Sequence, residues 1–172
     1  MIFLCLTVSC SNQTNKQEHR FDLKKDLYDF STRMNESDTL IIRANLSLCI
    51  SQRHEKNIIF KKNKELFITT IIDETYLDEK DRELGTIKYQ YIKTDSLNFE
   101  NLFHFLENKR ATKSSGFNRP TFTVVYKQDS IEFYSDKMKD FIEDTKYYRE
   151  IQIRRYPEAK AYQGTPKLMK TK

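Results

Sequence analysis

The sequence predicts an α+β fold, a single two-layer domain in which helices cover one face of a mainly antiparallel sheet. Apolar residues recur at helical spacing in three segments and at a spacing of two in most of the strand-like segments between them. Short loops join consecutive strand-like segments, which is typical of antiparallel pairing. The 172 residues are 38% hydrophobic and 32% charged, enough for one buried core under a charged surface. The predicted order is one helix, four strands, one helix, two strands and one helix.

The first predicted element is a helix over residues 22–34. Its apolar residues follow one another at helical spacing and so share one face: Leu23, Leu27, Phe30 and Met34. A polar stretch, residues 35–38, ends this helix before the period of the apolar pattern changes to two.

Four strands are predicted next. From Thr39 onward apolar and polar residues alternate, so residues 39–50 are predicted as a half-buried strand with Cys49 on the face opposite the apolar row. The following segments are a loop over 51–56, a short strand over 57–61, a central strand over 65–73 that is apolar on both faces, and an alternating strand over 85–94.

A second helix, a hairpin and a third helix complete the predicted domain. Asp95 or Ser96 begins the second helix, whose apolar stripe consists of Phe99, Leu102, Phe103 and Leu106. Strands over 121–127 and 130–134 form the hairpin. Ser135 is predicted to cap the third helix, and one face of that helix carries Met138, Phe141, Ile142, Thr145 and Tyr148. Beyond Ile153, a basic tail is expected to be loosely structured.

The first ten residues, MIFLCLTVSC, predict the cellular location of the protein. Residues 2–8 are apolar except for Thr7, and Cys10 follows the small residue Ser9. The string Leu6-Thr7-Val8-Ser9-Cys10 resembles the lipobox of bacterial lipoproteins. In that family the signal peptide is cut before the cysteine, whose thiol carries the lipid. The resemblance implies a signal peptide over residues 1–9 and lipid attachment, palmitate included, at Cys10.

The resemblance also implies a layout for the whole chain. Residues 10–20 are a polar tether, 21–153 the α+β domain and 154–172 the basic tail, and the lipid holds the protein to a bacterial membrane in the cell envelope, on the periplasmic or surface side. Cys49 is then left without a disulfide partner, since the chain has three cysteines. The alternative is an apolar N-terminal tail that packs on the domain, with Cys10 a plain thiol.

Charge is unevenly distributed along the chain. The net charge is +5, and residues 146–172 hold eight basic and two acidic residues, so a basic surface across the whole fold is not implied. The connection over 73–83 is acidic instead, with six acidic and two basic residues. Its carboxylates are the candidate partner-binding residues, because complementary charge selects a basic partner: Asp73, Glu74, Asp78, Glu79, Asp81 and Glu83. A solvated loop is the simpler interpretation.

Catalytic and cofactor sites find little support in the sequence. His54 and Glu55 are adjacent in a predicted loop and form a weak candidate acid–base pair. No Cys-x-x-Cys or zinc-ligand spacing occurs, so we expect no metal and no cofactor. Tyrosines alternate with basic residues near the C-terminus, as in some nucleic-acid binders, but an exported protein is not expected to meet nucleic acid.

These observations favour an exported, lipid-anchored module that binds a protein partner and is not an enzyme. Its size, address and charged surface resemble those of immunity proteins, which protect a cell envelope from a neighbour's toxin. The alternatives are a structural or assembly subunit of an envelope complex, and an enzyme whose site is assembled from scattered residues. No small-molecule substrate is evident.

Overall fold

The computed structural model describes residues 20–48, 51–76, 87–91, 97–110 and 119–163. The strands are β1 (Thr39–Asn45), β2 (Ser51–Lys62), β3 (Glu65–Tyr76), β4 (Ile87–Tyr91), β5 (Phe122–Tyr126) and β6 (Asp129–Phe133). The helices are α1 (Leu23–Asp26), α2 (Phe30–Arg33), α3 (Leu97–Arg110), α4 (Met138–Arg155) and α5 (Lys160–Gln163), with a 3₁₀ turn (Leu27–Asp29) between α1 and α2. The predicted α+β class is confirmed, and so is the predicted order of elements up to α4.

The described strands form one six-stranded sheet in the order β4-β3-β2-β1-β5-β6, and each neighbouring pair is antiparallel. The helices supply buried residues to one face of this sheet only, which we call the inner face. That face carries Leu40, Ile42 and Ala44 on the central strand β1, each at most 1% exposed. The two-layer arrangement expected from one apolar row per strand is therefore present.

The N-terminal helix is interrupted in its middle by the 3₁₀ turn, which has fewer residues per turn than an α-helix, but it buries the predicted face. Asp22 caps α1 by accepting hydrogen bonds from the backbone amides of Lys24 and Lys25 at 3.0 and 3.4 Å. The predicted stripe is buried, with every member at most 2% exposed: Leu23, Leu27, Phe30 and Met34.

The prediction of a loop over 51–56 was wrong. These residues begin the twelve-residue strand β2, and β1 ends earlier than predicted, at Asn45. The Leu46 amide still donates 2.8 Å to the Arg53 carbonyl, so hydrogen bonding to β2 continues one residue beyond β1. The charged sequence Arg53-His54-Glu55-Lys56 concealed the strand, because two of its charges lie on the inner face and are neutralised there.

The third strand is also longer than predicted, and Asp73 and Glu74 lie within it rather than in a loop. β3 pairs with β2 along its whole length, with Asp73 opposite His54 and Glu74 opposite Arg53. The acidic connection predicted over 73–83 therefore begins inside the sheet.

The second helix buries all four predicted apolar residues, and the hairpin β5–β6 forms as predicted. The third helix differs. It begins at Met138, and the Ser135 hydroxyl, predicted as its cap, instead donates 2.8 Å to Asp144 while bonding to the Thr121 hydroxyl. Met138 and Ile142 are 47% and 42% exposed. The buried face of α4 is partly polar, which a count of apolar residues could not reveal: Phe141, Asp144, Tyr148, Ile151, Gln152 and Arg155.

The prediction of a loosely structured tail from residue 154 was wrong for the part that the structure describes. Arg154 and Arg155 complete α4, and the chain then turns at Pro157 into α5. Tyr156, Ala159 and Tyr162 are buried and pack on Ile72 of β3 as a second, smaller core cluster. The domain therefore extends to Gln163, and residues 164–172 lie outside the described residues.

Candidate functional site

The antiparallel register divides the strand residues between the two faces of the sheet, since directly paired residues share a face. Glu55 is opposite Ala44 and Ile72 and so belongs to the inner face, whereas His54 is opposite Asn45 and Asp73 and belongs to the other, outer face. The adjacent His54–Glu55 pair is therefore not an acid–base pair, because the sheet separates its two side chains.

Glu55 is the centre of a buried polar network on the inner face. Its side chain has no exposed surface, and both carboxylate oxygens accept hydrogen bonds. Oε1 accepts from Arg53 Nε at 2.8 Å, and Oε2 accepts from the Tyr148 and Tyr162 hydroxyls at 2.8 and 2.7 Å. The Gln152 amide adds a longer donor at 3.3 Å. The Glu55 carboxylate thereby ties β2 to α4 and α5.

Arg53 joins two buried carboxylates to the C-terminal segment. Its Nη2 lies 2.6 Å from Glu55 Oε1 and its Nη1 lies 3.2 Å from Glu74 Oε2. Nη1 also donates 3.0 Å to the Ala161 carbonyl in α5, and the guanidinium lies 5.2 Å from the Tyr162 ring centroid. One guanidinium therefore bridges the carboxylates of β2 and β3 and holds α5 on the sheet.

A neutral layer of hydrogen bonds continues the network under α4. The Asn57 amide donates 2.8 Å to the Tyr148 hydroxyl, and its carbonyl oxygen accepts from Thr70 at 2.7 Å and from Gln152 at 2.8 Å. The Thr70 and Tyr156 hydroxyls are 2.7 Å apart. Asn57, Thr70 and Gln152 have no exposed surface, so these bonds replace contacts with water that burial removed.

The electrostatics of the network keep the Arg53 guanidinium charged and the Tyr148 and Tyr162 hydroxyls protonated near neutral pH. Burial lowers the pKa of the Arg53 guanidinium, but the Glu55 and Glu74 carboxylates outweigh burial and the pKa lies above its ordinary value. Burial raises the pKa of the Tyr148 hydroxyl well above its ordinary value, and Glu55 raises it further. Burial likewise raises the pKa of Tyr162, as do Tyr148 and Glu55. We call this network of Arg53, Glu55, Glu74 and the side chains bonded to them the clamp, because its hydrogen bonds hold α4 and α5 on the sheet.

The outer face carries a different set of side chains. Six apolar residues lie at its centre, all partly exposed and none belonging to the core clusters: Ile41, Ile58, Phe60, Phe67, Ile71 and Val125. The Phe60 and Phe67 rings stack with their centroids 5.2 Å apart. Within the described residues, the buried side chains of the helices all pack on the inner face, so this apolar centre lacks a helical cover from them.

One end of the outer face forms an open groove of about 450 Å³. Its polar lining comes from β1, β2, β3, β5 and the residues before β5: Arg43, Asn45, His54, Lys56, Asp73, Arg119 and Thr123. Glu55 also borders the groove, but its side chain has no exposed surface, so the three permanent cations outnumber the one exposed carboxylate, that of Asp73. Sequence reasoning missed this groove because Arg43, Lys56 and Arg119 are far apart along the chain. The one available signal was that Arg43 occupies a polar position of the alternating strand.

The predicted partner-binding carboxylates are not brought together among the described residues. Asp73 is exposed and lines the groove, whereas Glu74 is 7% exposed and paired with Arg53, so Glu74 cannot meet a partner. Asp78, Glu79, Asp81 and Glu83 lie outside the described residues, as do Cys10 and Cys49.

Among residues 20–48, 51–76, 87–91, 97–110 and 119–163, no three His, Cys, Asp or Glu side chains are grouped so that they could hold a metal ion. The described helices include none with the length and apolar character needed to cross a membrane. Comparison with known proteins finds no matching family model, curated protein or solved structure.

Proposed function

We propose that this chain is an exported bacterial lipoprotein, anchored in the cell envelope through Cys10, that acts by binding a protein partner rather than by catalysis. The observation that carries the binding proposal is the outer face of the sheet. Its apolar centre and charged end differ sharply from the inner face, where helices and a polar network fill the space. An apolar patch rimmed by charge is typical of a protein interface.

The scaffold behind that face suits recognition of a protein. Each of the four central strands β3, β2, β1 and β5 has a hydrogen-bonded neighbour on both sides. The Glu55 network fixes the long strands β2 and β3 from behind. A rigid face of this kind binds with little loss of conformational freedom.

The tether predicted from the sequence is compatible with such a role. Phe21 is 3% exposed and its ring packs 4.7 Å from that of Tyr126, so the folded domain has begun by residue 21. The chain from Cys10 to Phe21 spans at most roughly 40 Å when fully extended. A lipid at Cys10 would therefore keep the domain close to the membrane while leaving it free to turn.

Among envelope binding modules, an immunity protein that neutralises a toxin is the specific role we favour. It requires an accessible, rigid binding face, and the outer face of the sheet is compatible with that requirement.

Position-specific photocrosslinking in the native envelope tests the binding proposal. A photoreactive amino acid replaces Phe67 on the outer face, and the matched control replaces Lys139, which is exposed on α4. We expect a discrete adduct with another protein from position 67 and none from position 139. Adducts of equal yield at both positions, or at position 139 alone, would reject the outer face as the binding surface.

A further inference from the structure

The groove at the end of the outer face has an excess of positive charge that no described carboxylate neutralises. Arg43 of β1 and Lys56 of β2 are directly paired across the two strands, and Arg119 lines the same groove from the segment that precedes β5. Like charges placed directly opposite each other on a sheet are destabilising. Arg43 and Lys56 form such a like-charge pair, and Arg119 adds a third positive charge to the groove.

No described carboxylate forms an ion pair with any of these three cations. By contrast, Arg53 is paired with Glu55 and Glu74, and Arg33 is paired with Asp29. Asp73 lines the groove but lies beyond 4.0 Å of the cations, the limit for an ion pair. An anion bound in the groove would relieve the repulsion between Arg43 and Lys56.

We infer that this groove binds a carboxylate-bearing segment of a partner protein, an inference that rests on the proposed function and specifies the chemistry of the partner. An arginine guanidinium presents a planar fork that matches a carboxylate, and a lysine ammonium adds a point charge. Asn45 and Thr123, which also line the groove, supply neutral hydrogen-bonding groups.

Two features favour an acidic protein segment over an anionic lipid headgroup. The groove is continuous with the apolar centre of the outer face, because Ile71 belongs to both. A partner protein could therefore fill the apolar centre and place acidic side chains in the groove. In addition, Phe21 belongs to the core on the inner face, so the described chain begins on the side of the sheet opposite the groove.

A binding titration tests the inference on the full-length protein. The probe is a fluorescein-labelled glutamate-rich peptide, with a glutamine-rich peptide of equal length as its control, and binding is followed by fluorescence anisotropy at low and high ionic strength. The test variant is Arg43→Gln with Lys56→Gln. The matched control is Lys24→Gln with Lys139→Gln, which removes the same charge from exposed helical positions.

We expect saturable binding of the glutamate peptide that weakens with salt, with binding to the test variant at least about tenfold weaker and binding to the control variant changed less than about twofold. The test variant should melt no lower than the wild type, because it removes a like-charge pair. Absence of glutamate-peptide binding, or an equal loss in both variants, would overturn the inference.

Flotation with vesicles separates the lipid alternative. Binding to phosphatidylglycerol vesicles that requires Arg43 and Lys56, without binding to the glutamate peptide, would assign the groove to lipid and overturn the inference. The proposed function is judged separately, since Phe67 does not line the groove. Crosslinks from position 67 combined with no peptide binding would reject the groove's role and retain the binding face.

Discussion

The Tyr162 hydroxyl donates a 2.7 Å hydrogen bond to Glu55 Oε2, joining residues 107 positions apart in the chain. Tyr162 is 3% exposed, and its ring stacks with that of Tyr156 at 6.1 Å. Through this bond the last described helix becomes part of the core, so the C-terminal segment is a structural element rather than an appendage.

Deletion of residues 160–172 should therefore destabilise the protein. It removes the Tyr162 donor from a buried carboxylate and the Ala161 carbonyl from Arg53. We expect a loss of at least about 3 kcal/mol in the free energy of unfolding, or a melting temperature lowered by roughly 6–12 °C. Deletion of residues 164–172 is the matched control, since it leaves every described contact in place. Equal melting temperatures for the two truncations would show that α5 contributes nothing.

Arg53→Met should be more damaging than loss of any exposed cation. The substitution removes the guanidinium that pairs with the buried Glu55 and Glu74 carboxylates, at a cost of about 3–5 kcal/mol. Arg33→Met is the control, because the pair of Arg33 with Asp29 is about half exposed on each side and is screened by solvent. Denaturant unfolding at neutral pH measures both. A similar midpoint for the two variants would contradict the account of the clamp.

The clamp also predicts a loss of stability at alkaline pH. Burial raises the pKa of three tyrosine hydroxyls: Tyr148, Tyr156 and Tyr162. In the unfolded chain a tyrosine loses its proton near pH 10, whereas these hydroxyls hold theirs in the folded protein. Their contribution is therefore complete below about pH 10 and is lost as the pH rises further, by up to about 1.4 kcal/mol per pH unit for each group.

Unfolding free energies between pH 9 and pH 11 test this pH dependence. Tyr162→Phe should reduce the slope, and Tyr134→Phe should not, because Tyr134 is 47% exposed. A slope that Tyr162→Phe leaves unchanged would show that the Tyr162 hydroxyl ionises as readily in the folded protein as in the unfolded one.

The lipid anchor is tested by Cys10→Ser. Without a thiol to acylate, the protein should move from the membrane fraction to the soluble fraction, and incorporation of labelled palmitate should cease. Cys49→Ser is the matched control and should leave both measurements unchanged. A Cys10→Ser protein that stays on the membrane after a high-salt wash would rule out the anchor.

Apolar periodicity predicts much of the fold. The apolar stripes predicted for residues 22–34 and for α3 are both buried. Apolar periodicity did not predict the strand at positions where charged side chains are buried. Arg53 and Glu55 resemble loop residues in the sequence, and only their pairing with each other and with Glu74 makes a strand possible at these positions. It also failed at Tyr162, because α5 has four residues and is too short to display a period.

The candidate site was less predictable than the fold. Glu74, expected at a binding surface, is a core residue, because strand pairing rather than composition decides which face it occupies. The groove depends on the pairing of Arg43 with Lys56 across β1 and β2. That pairing is set by the strand register, which a local sequence pattern does not predict.

The central claim is that the partner binds the outer face of the sheet. Affinity for the partner recovered from the position 67 crosslink, measured with variants on each side of the molecule, tests it most directly. Phe67→Ser alters the apolar centre of the outer face, and Ile142→Ser removes an apolar side chain that is 42% exposed on α4. Both variants are first confirmed to be folded by circular dichroism. The account predicts that Phe67→Ser weakens binding at least about tenfold while Ile142→Ser changes it less than about twofold, and the reverse order would contradict it.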